Sequence, residues 1–329
     1  MRSNFFNSII VGSMLLATTG CQEKSVTMRS MRCEFVKAGN EAVIYGSGFS
    51  ADDEIFFENN QKGEIVASKT NDSILTVIVP EDAKPGMLCY IPKHGPKVYS
   101  DFMFRDNRGI IIDFDTYPST WGGFEPFNEE GEPIKIVKGE EDNILTLPAT
   151  PPEEICSHYG LLYGMYKEAW SMNGKETFLQ YCANPEYGGG GRGNHSIAGD
   201  YVGMPIEELC LKFEVFVPKE CSFKCRPRIE MFFGPYESAN KHGREVSPIY
   251  AWAPCDSKTG EFCTENGWET ITIPLTEFNR SYESDEIKAG PINLKTATNF
   301  TFVLMGDPGD NPSENYLCVD NFRIVPIKE

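Results

Sequence analysis

Apolar positions in this chain fall in short runs that end at glycine, proline or paired acidic residues, the signature of strands and tight turns. Glu41 to Ser50 (EAVIYGSGFS) is a β-rich run closed by a glycine turn, and Glu54-Ile55-Phe56-Phe57 follows Asp52-Asp53. Ser73 to Val79 stops at Pro80, and Ala83-Lys84-Pro85-Gly86 makes a turn before Met87-Leu88-Cys89-Tyr90. The polar stretch Arg105 to Gly109 then precedes a new run, Ile110-Ile111-Ile112. Beyond it, Leu211 to Val217, Glu269 to Leu275, Asn299 to Met305 and Leu317 to Ile324 read as strands. No 3.6-residue periodicity is sustained anywhere, so the pattern predicts an all-β protein of two units divided near residue 105. The first unit has the length of one sandwich, and the second, whose first and last strands are placed to pair, fits a jelly-roll sandwich.

Composition supports this reading. The 329 residues include 30 Gly, 22 Pro, 14 Tyr and 22 Phe, a balance suited to strands and turns. A formal net charge of −18 repels phosphate backbones and anionic lipid heads, which excludes nucleic acid as an expected partner and leaves neutral ligands open.

The N-terminus carries an address. Arg2 precedes an apolar run from Phe5 to Ala17 that is too short to span roughly 30 Å of hydrocarbon, as in a signal peptide. It runs into Thr18-Thr19-Gly20-Cys21, which resembles a lipobox, with Thr18 where Leu is usual. The resemblance implies cleavage after residue 20, acylation of Cys21 and anchoring through lipid alone. Residues 21–30 read as a polar tether and residues 31–105 as the first unit. The second unit is assigned to 106–329.

Ten further cysteines permit up to five disulfides in an oxidising compartment. Cys210 and Cys318 sit in apolar strand-like runs as small buried hydrophobes, whereas Cys221/Cys225 and Cys255/Cys263 flank turns and are the expected bridges. The four histidines are scattered, and none has zinc-ligand spacing from another histidine or a cysteine pair. Asp113 and Asp115 on the first strand of the second unit could meet Asp320 and Asn321 on the last and offer oxygen ligands to Ca²⁺. Solvated acidic residues are the plainer reading, and no cofactor is expected.

Two segments resemble known families. GNEAVIYGSGFSADDEIFF followed by NDSILTVIVPEDAKPG resembles an immunoglobulin-like IPT/TIG domain over about residues 31–104, a module that acts as a spacer or protein contact. The ordered segments LCLKFEVFVP, RIEMFFG, IYAWAP, GWETITIPLTEF and LCVDNFRIV resemble the C-terminal domain of surface glycan-binding lipoproteins of Bacteroidota-type polysaccharide utilisation loci, the group that includes xyloglucan binders. This resemblance implies a non-catalytic, lipid-anchored protein of the outer-membrane cell surface. It would bind polysaccharide and hand it to an outer-membrane importer and its companion lipoprotein.

Sugar recognition needs an aromatic ring against the apolar face of a pyranose, with carboxylates, amides or Arg on its hydroxyls. Trp268, opening a strand after Asn266-Gly267, reads as core. Trp170 lies in a loop-like stretch whose position resembles the Trp-bearing loop of the family's binding face and is the first candidate. Tyr250 and Trp252 form a second candidate platform, with burial in a core as the alternative. Trp121 and Tyr236 follow, and Glu230, Asn240 and Arg244 are candidate polar contacts. The glycine run 187–194 lacks the phosphate-loop pattern and reads as a flexible loop that could border the ligand groove.

Two other classes stay in view. A glycoside hydrolase needs two facing carboxylates, and the chain shows neither the Glu-x-Asp-x-x-Glu motif of jelly-roll hydrolases nor a nucleophile elbow. A protein-contact or adhesion module would instead bury its aromatics in the core, so exposure of Trp170, Tyr250 and Trp252 separates it from a glycan binder.

Overall fold

The structure, a computed structural model, describes residues 25–115, 120–122, 124–127, 158–168, 171–172, 175–182, 196–224, 228–234, 248–280, 291–305 and 311–328. Cys21 lies outside them. Among these residues the chain is a pair of β-sandwiches. The first comprises β1 (Thr27–Met31), β2 (Glu41–Ser47), β3 (Glu54–Phe57), β4 (Gln61–Ile65), β5 (Ile74–Ile78), β6 (Gly86–Ile91) and β7 (Val98–Phe104), paired in the order β1-β2-β5-β4-β3-β6-β7. The order rolls so that β1 packs against β7, and inward positions such as Ala42, Ile44, Leu75, Val77, Leu88 and Tyr90 fill the interior. Residues 27–30, expected as part of a tether, instead belong to the first sandwich, because β1 begins at Thr27 and buries Met28 and Met31 in this core.

The second sandwich contains β8 (Ile110–Ile112), β9 (Thr120–Gly122), β10 (Glu125–Phe127), β11 (Tyr159–Glu168), β12 (Ser171–Met172), β13 (Lys175–Glu176), β14 (Phe178–Cys182) and β15 (Leu209–Phe216). It continues through β16 (Phe223–Lys224), β17 (Arg228–Gly234), β18 (Ile249–Trp252), β19 (Glu261–Phe262), β20 (Glu269–Pro274), β21 (Asn299–Met305) and β22 (Ser313–Pro326). One sheet runs β13-β12-β11-β22-β15-β20, with β8 and β10 paired alongside, and the facing sheet runs β18-β17-β21-β14-β9. The first and last strands of this unit do pair, Ile112 opposite Phe322. Between the sheets, Phe213 stacks on Phe322 at 4.9 Å and 14° and meets Phe302 edge-on at 6.0 Å.

The larger sheet is buried on both faces, since β15 and β22 are almost continuously buried along their lengths. Leu209, Leu211, Phe213 and Val215 face the sandwich core, while Lys212 and Glu214 face the first sandwich. In β22 a bulge places Asn321 and Phe322 opposite Phe213 alone, with Asn321 in the left-handed region at φ 48°. The extra residue resets the alternation, so Phe322 and Ile324 still enter the core while Arg323 turns toward the first sandwich.

The two units are joined by a short, pinned connection. Arg105 N–H donates to Glu34 O at 2.8 Å, and the Arg105 side chain donates to Val36 O. Ile324 N–H donates to Gly109 O at 3.0 Å. Gly109 has φ 58°, and a Cβ there would stand 2.0 Å from Ile324 O, so the approach requires glycine. Gly160 is required for a different reason: the Phe114 ring lies where its Cβ would be, at 2.1 Å.

The cysteine pairing differs from expectation. Cys221 and Cys263 are free thiols and Cys255 is disulfide-bonded, so neither Cys221/Cys225 nor Cys255/Cys263 forms. Cys221 is buried in the apolar cluster that contains Trp268, and Cys263 packs on the second sandwich core, so both side chains are engaged in packing. Cys210 and Cys318 are fully buried, as small hydrophobes would be.

Asp320 is fully buried, its carboxylate accepting from Asn321 N–H at 2.8 Å and Asn321 Nδ2 at 2.9 Å. Burial pushes its pKa well above the usual carboxylate value against the pull of Asn321, and Glu214, Asp115 and Asp113 push the same way. Asp113 and Asp115 thus do come near Asp320, but the described residues form no group of three or more His, Cys, Asp or Glu placed to hold a metal. The reading of these acidic residues as solvated is corrected for Asp320, which is buried and turns to Asn321, while Asp115 turns to His158 at 3.3 Å. Because the folded pKa lies above the unfolded one, the native state holds the extra proton, and this contribution to stability is lost as pH rises from about 4 through the folded pKa. Asp320→Asn is therefore expected to flatten the fall in Tm between pH 5 and pH 8, measured by calorimetry. An unchanged slope would contradict this assignment.

Candidate functional site

The facing sheet β18-β17-β21-β14-β9 has one side in the sandwich core and one side outside it. Register decides which residue goes where, because directly opposed residues in an antiparallel pair project to the same face. Leu179, Phe302, Met231 and Trp252 belong to the core side. The other side follows the row Gln180, Thr301, Phe232 and Ile249, each position opposite the next across β14, β21, β17 and β18. A neighbouring row places Val303 opposite Glu230 and Glu230 opposite Ala251.

This outer side mixes apolar and hydrogen-bonding groups. Phe232, Ile249, Val303 and Met305 form an apolar cluster separate from the main core. Beside it lie Gln180, Thr301, Asn299 and Glu230, all buried. Gln180 Nε2 donates to Thr301 Oγ1 at 3.1 Å, and Asn299 Nδ2 reaches the same oxygen at 3.5 Å. Asn299 Oδ1 is buried and has no hydrogen-bond partner among the described residues. Two amides, a hydroxyl and a carboxylate on one sheet face are the groups that exchange hydrogen bonds with the hydroxyls of a sugar.

The aromatic platform expected of Tyr250 and Trp252 is not formed. Trp252 is 8% exposed and packs edge-on against Phe213 at 5.3 Å and 90°, with Phe262 at 5.8 Å. Tyr250 is half-buried, tilted against Phe278 at 5.6 Å, and burial, followed by Glu277, raises its hydroxyl pKa. In IYAW both alternating sets are apolar, so the sequence pattern does not reveal that Tyr250 and Trp252 share the inward face while Ile249 and Ala251 share the outward one. Trp268 is fully buried against Tyr159 at 5.6 Å, in agreement with its structural assignment.

Of the other expected residues, Glu230 lies on the outer sheet face and Trp121 takes the strand position opposite Gln180. Trp170, Tyr236, Asn240, Arg244 and the glycine run 187–194 fall outside the described residues. Sequence reasoning missed Gln180, Thr301 and Asn299. Their signal was present in Asn299-Phe300-Thr301-Phe302, where polar residues alternate with aromatics and mark a strand with one core face and one polar face.

The family model described as surface glycan-binding protein B xyloglucan binding domain matches residues 104–326. Among solved structures, the surface glycan-binding protein PbSGBP-B from Prevotella bryantii is similar with a TM-score of 0.62 and 20% identity, over 93% of this chain and 77% of that one. The SGBP-B from a complex xyloglucan utilization locus in Bacteroides uniformis gives 0.55 and 20%, over 92% and 73%. A third structure, described as holding a xylogluco-oligosaccharide, gives 0.59 and 16%, over 92% and 58%. No curated protein matches the chain. At these identities the solved structures establish a shared fold. The family model reaches further, because it takes in more than half of the chain and the whole of the second sandwich from β8 to β22. On that match, the chain belongs to the surface glycan-binding protein B family, through its xyloglucan-binding domain.

Proposed function

We propose that this protein is a non-catalytic, lipid-anchored cell-surface protein that captures a polysaccharide on the outer face of the β18-β17-β21-β14-β9 sheet and presents it to an outer-membrane importer and its companion lipoprotein. The observation that carries the reading is the family match over the second sandwich. Xyloglucan is the first glycan to test, given the family's description and the xyloglucan locus of the Bacteroides uniformis relative. The reading assigns the amides, hydroxyl and carboxyl of Gln180, Thr301, Asn299 and Glu230 on that face as hydroxyl partners, and keeps Trp170 and Trp121 as its stacking aromatics. Attachment is through acylated Cys21, and no helix among the described residues is long and apolar enough to cross a membrane.

Binding of this kind works by local concentration. Each sugar–aromatic stack contributes about 1 kcal/mol, so a few contacts give micromolar to millimolar affinity, which suits capture followed by release. In affinity electrophoresis the full-length protein in detergent is expected to be retarded by xyloglucan within a panel of neutral polysaccharides. Trp170→Ala and Gln180→Ala are each expected to weaken binding about 5-fold, the loss of one stack or one hydrogen bond. Absence of retardation by every glycan, with the protein folded, would overturn the reading in favour of a protein-contact module.

A further inference from the structure

Among the described residues, the large hydrophobic side chains that stand exposed are Tyr45, at 39%, and Tyr99, at 59%, and both belong to the first sandwich rather than to the family's glycan-binding domain. Tyr45 lines a groove of 610 Å³ between the two sandwiches, within the range of about 300–1,000 Å³ that small ligands occupy. Arg29 and Arg32 of the first sandwich, Asp101 on β7, Glu269 on β20 and Lys328 near the C-terminus line it as well. We propose that this groove is a second saccharide-binding site, with Tyr45 as its stacking face and Arg29, Arg32 and Asp101 as contacts to sugar hydroxyls. The proposal rests on the reading of the protein as a glycan binder and assigns part of that binding to a module expected to act as a spacer or protein contact.

The groove is preformed. Thr270 N–H donates to Arg32 O at 2.7 Å, and Glu34 N–H donates to Thr270 Oγ1 at 2.8 Å, so hydrogen bonds across the junction fix its base. No ordering cost is then left to the ligand at that base, which favours affinity. The polar groups are of both kinds: Arg29, Arg32 and Lys328 donate, whereas Asp101 and Glu269 accept. An anion would be served by donors alone, while a sugar hydroxyl both donates and accepts, so the mixture suits a neutral saccharide better than an anion. The Arg32 Nε atom is buried and has no hydrogen-bond partner among the described residues, a donor that a hydroxyl oxygen would satisfy. Burial raises the Glu269 carboxyl against the pull of Arg32, so this acceptor sits where water is scarce and a hydrogen bond to a ligand counts for more.

The test is calorimetric titration of the full-length protein with a xylogluco-oligosaccharide and, separately, with xyloglucan polymer. Wild-type protein is expected to bind the oligosaccharide at two sites per chain and Tyr45→Ala at one. Loss of the bivalent grip should lower polymer affinity about 10-fold or more. Tyr45→Phe, which keeps the ring, is expected to behave as wild type, and Arg29→Ala, an exposed change that leaves the fold intact, to weaken the second site about 5-fold. Trp170→Ala should leave the Tyr45-dependent site in place. Wild-type binding at one site, unchanged in Tyr45→Ala and Arg29→Ala, would overturn this proposal and leave the sheet-face reading standing. Failure of the wild-type protein to bind this or any neutral glycan would overturn both.

Discussion

Glu34→Ala is expected to destabilise the protein by about 3–5 kcal/mol, the cost of breaking a buried ion network by removing one partner. The Glu34 carboxylate, from the first sandwich, accepts from Lys212 Nζ at 2.6 Å and from Arg323 Nη2 at 2.7 Å. Arg323 also holds Glu214, with Nη1 to Oε2 at 2.8 Å and Nη2 to Oε1 at 3.0 Å, and Thr270 donates to the same Glu214 oxygen at 2.9 Å. All four charged side chains are buried, two of each sign. Burial opposes the Arg323 charge, but Glu214 and Glu34 outweigh it and hold the guanidinium pKa above its ordinary value. Burial likewise raises Glu214, and Arg323 offsets part of that rise. Without Glu34, two buried cations share one carboxylate, and one of them must draw in water or move. Because Glu34 reaches across the junction, the loss should also loosen the sandwiches against each other, opening the groove beside Tyr45. Urea unfolding gives the number, and a loss below about 1 kcal/mol would mean the network is solvated and contributes as little as a surface pair. A control in which Glu34 and Lys212 both become apolar should recover much of the loss, since the remaining Arg323–Glu214 pair is balanced.

Trp252→Ala is the second large effect, and its sign separates two roles for the same residue. With the ring packed on Phe213, Phe262 and Phe302, truncation leaves a cavity in the second core, and the expected loss is about 3–5 kcal/mol of stability. Trp252→Phe keeps an aromatic in the cavity and is expected to cost less than half as much, with glycan binding unchanged. A platform residue would give the reverse result: normal unfolding and lost binding. Measuring urea midpoints and xyloglucan retardation on both variants decides the matter. Loss of retardation in Trp252→Phe at wild-type stability would refute the core assignment.

Much of the fold was legible because strand formation is local. Runs such as EAVIYGS and NFTFVLM carry β-branched and aromatic residues between turn formers, and they became β2 and β21. The division near residue 105 is visible in the same way: β7 ends at Phe104, and β8 opens at Ile110 in a different sheet. The site was less legible, because its residues meet only through register. Gln180 and Thr301 are 121 positions apart and touch at 3.1 Å, and nothing local in either segment announces the other. Tyr45 was equally silent, since a tyrosine within an alternating strand is as often covered as exposed.

The sequence by itself determined the all-β class, the two-unit organisation and the family, since each of these rests on patterns within tens of residues. Which face of each strand meets water was decided only in the tertiary structure. LCLKFEVF alternates apolar with charged residues, as a half-exposed strand would, yet Lys212 and Glu214 are buried because a second sandwich covers them and supplies Glu34. One extra residue at Asn321 turns Arg323 toward that network and keeps Phe322 and Ile324 in the core. A period of two specifies two faces and not their neighbours, so the assignment of Trp252 to the core and of Tyr45 to a groove awaited the packing of one sheet on another.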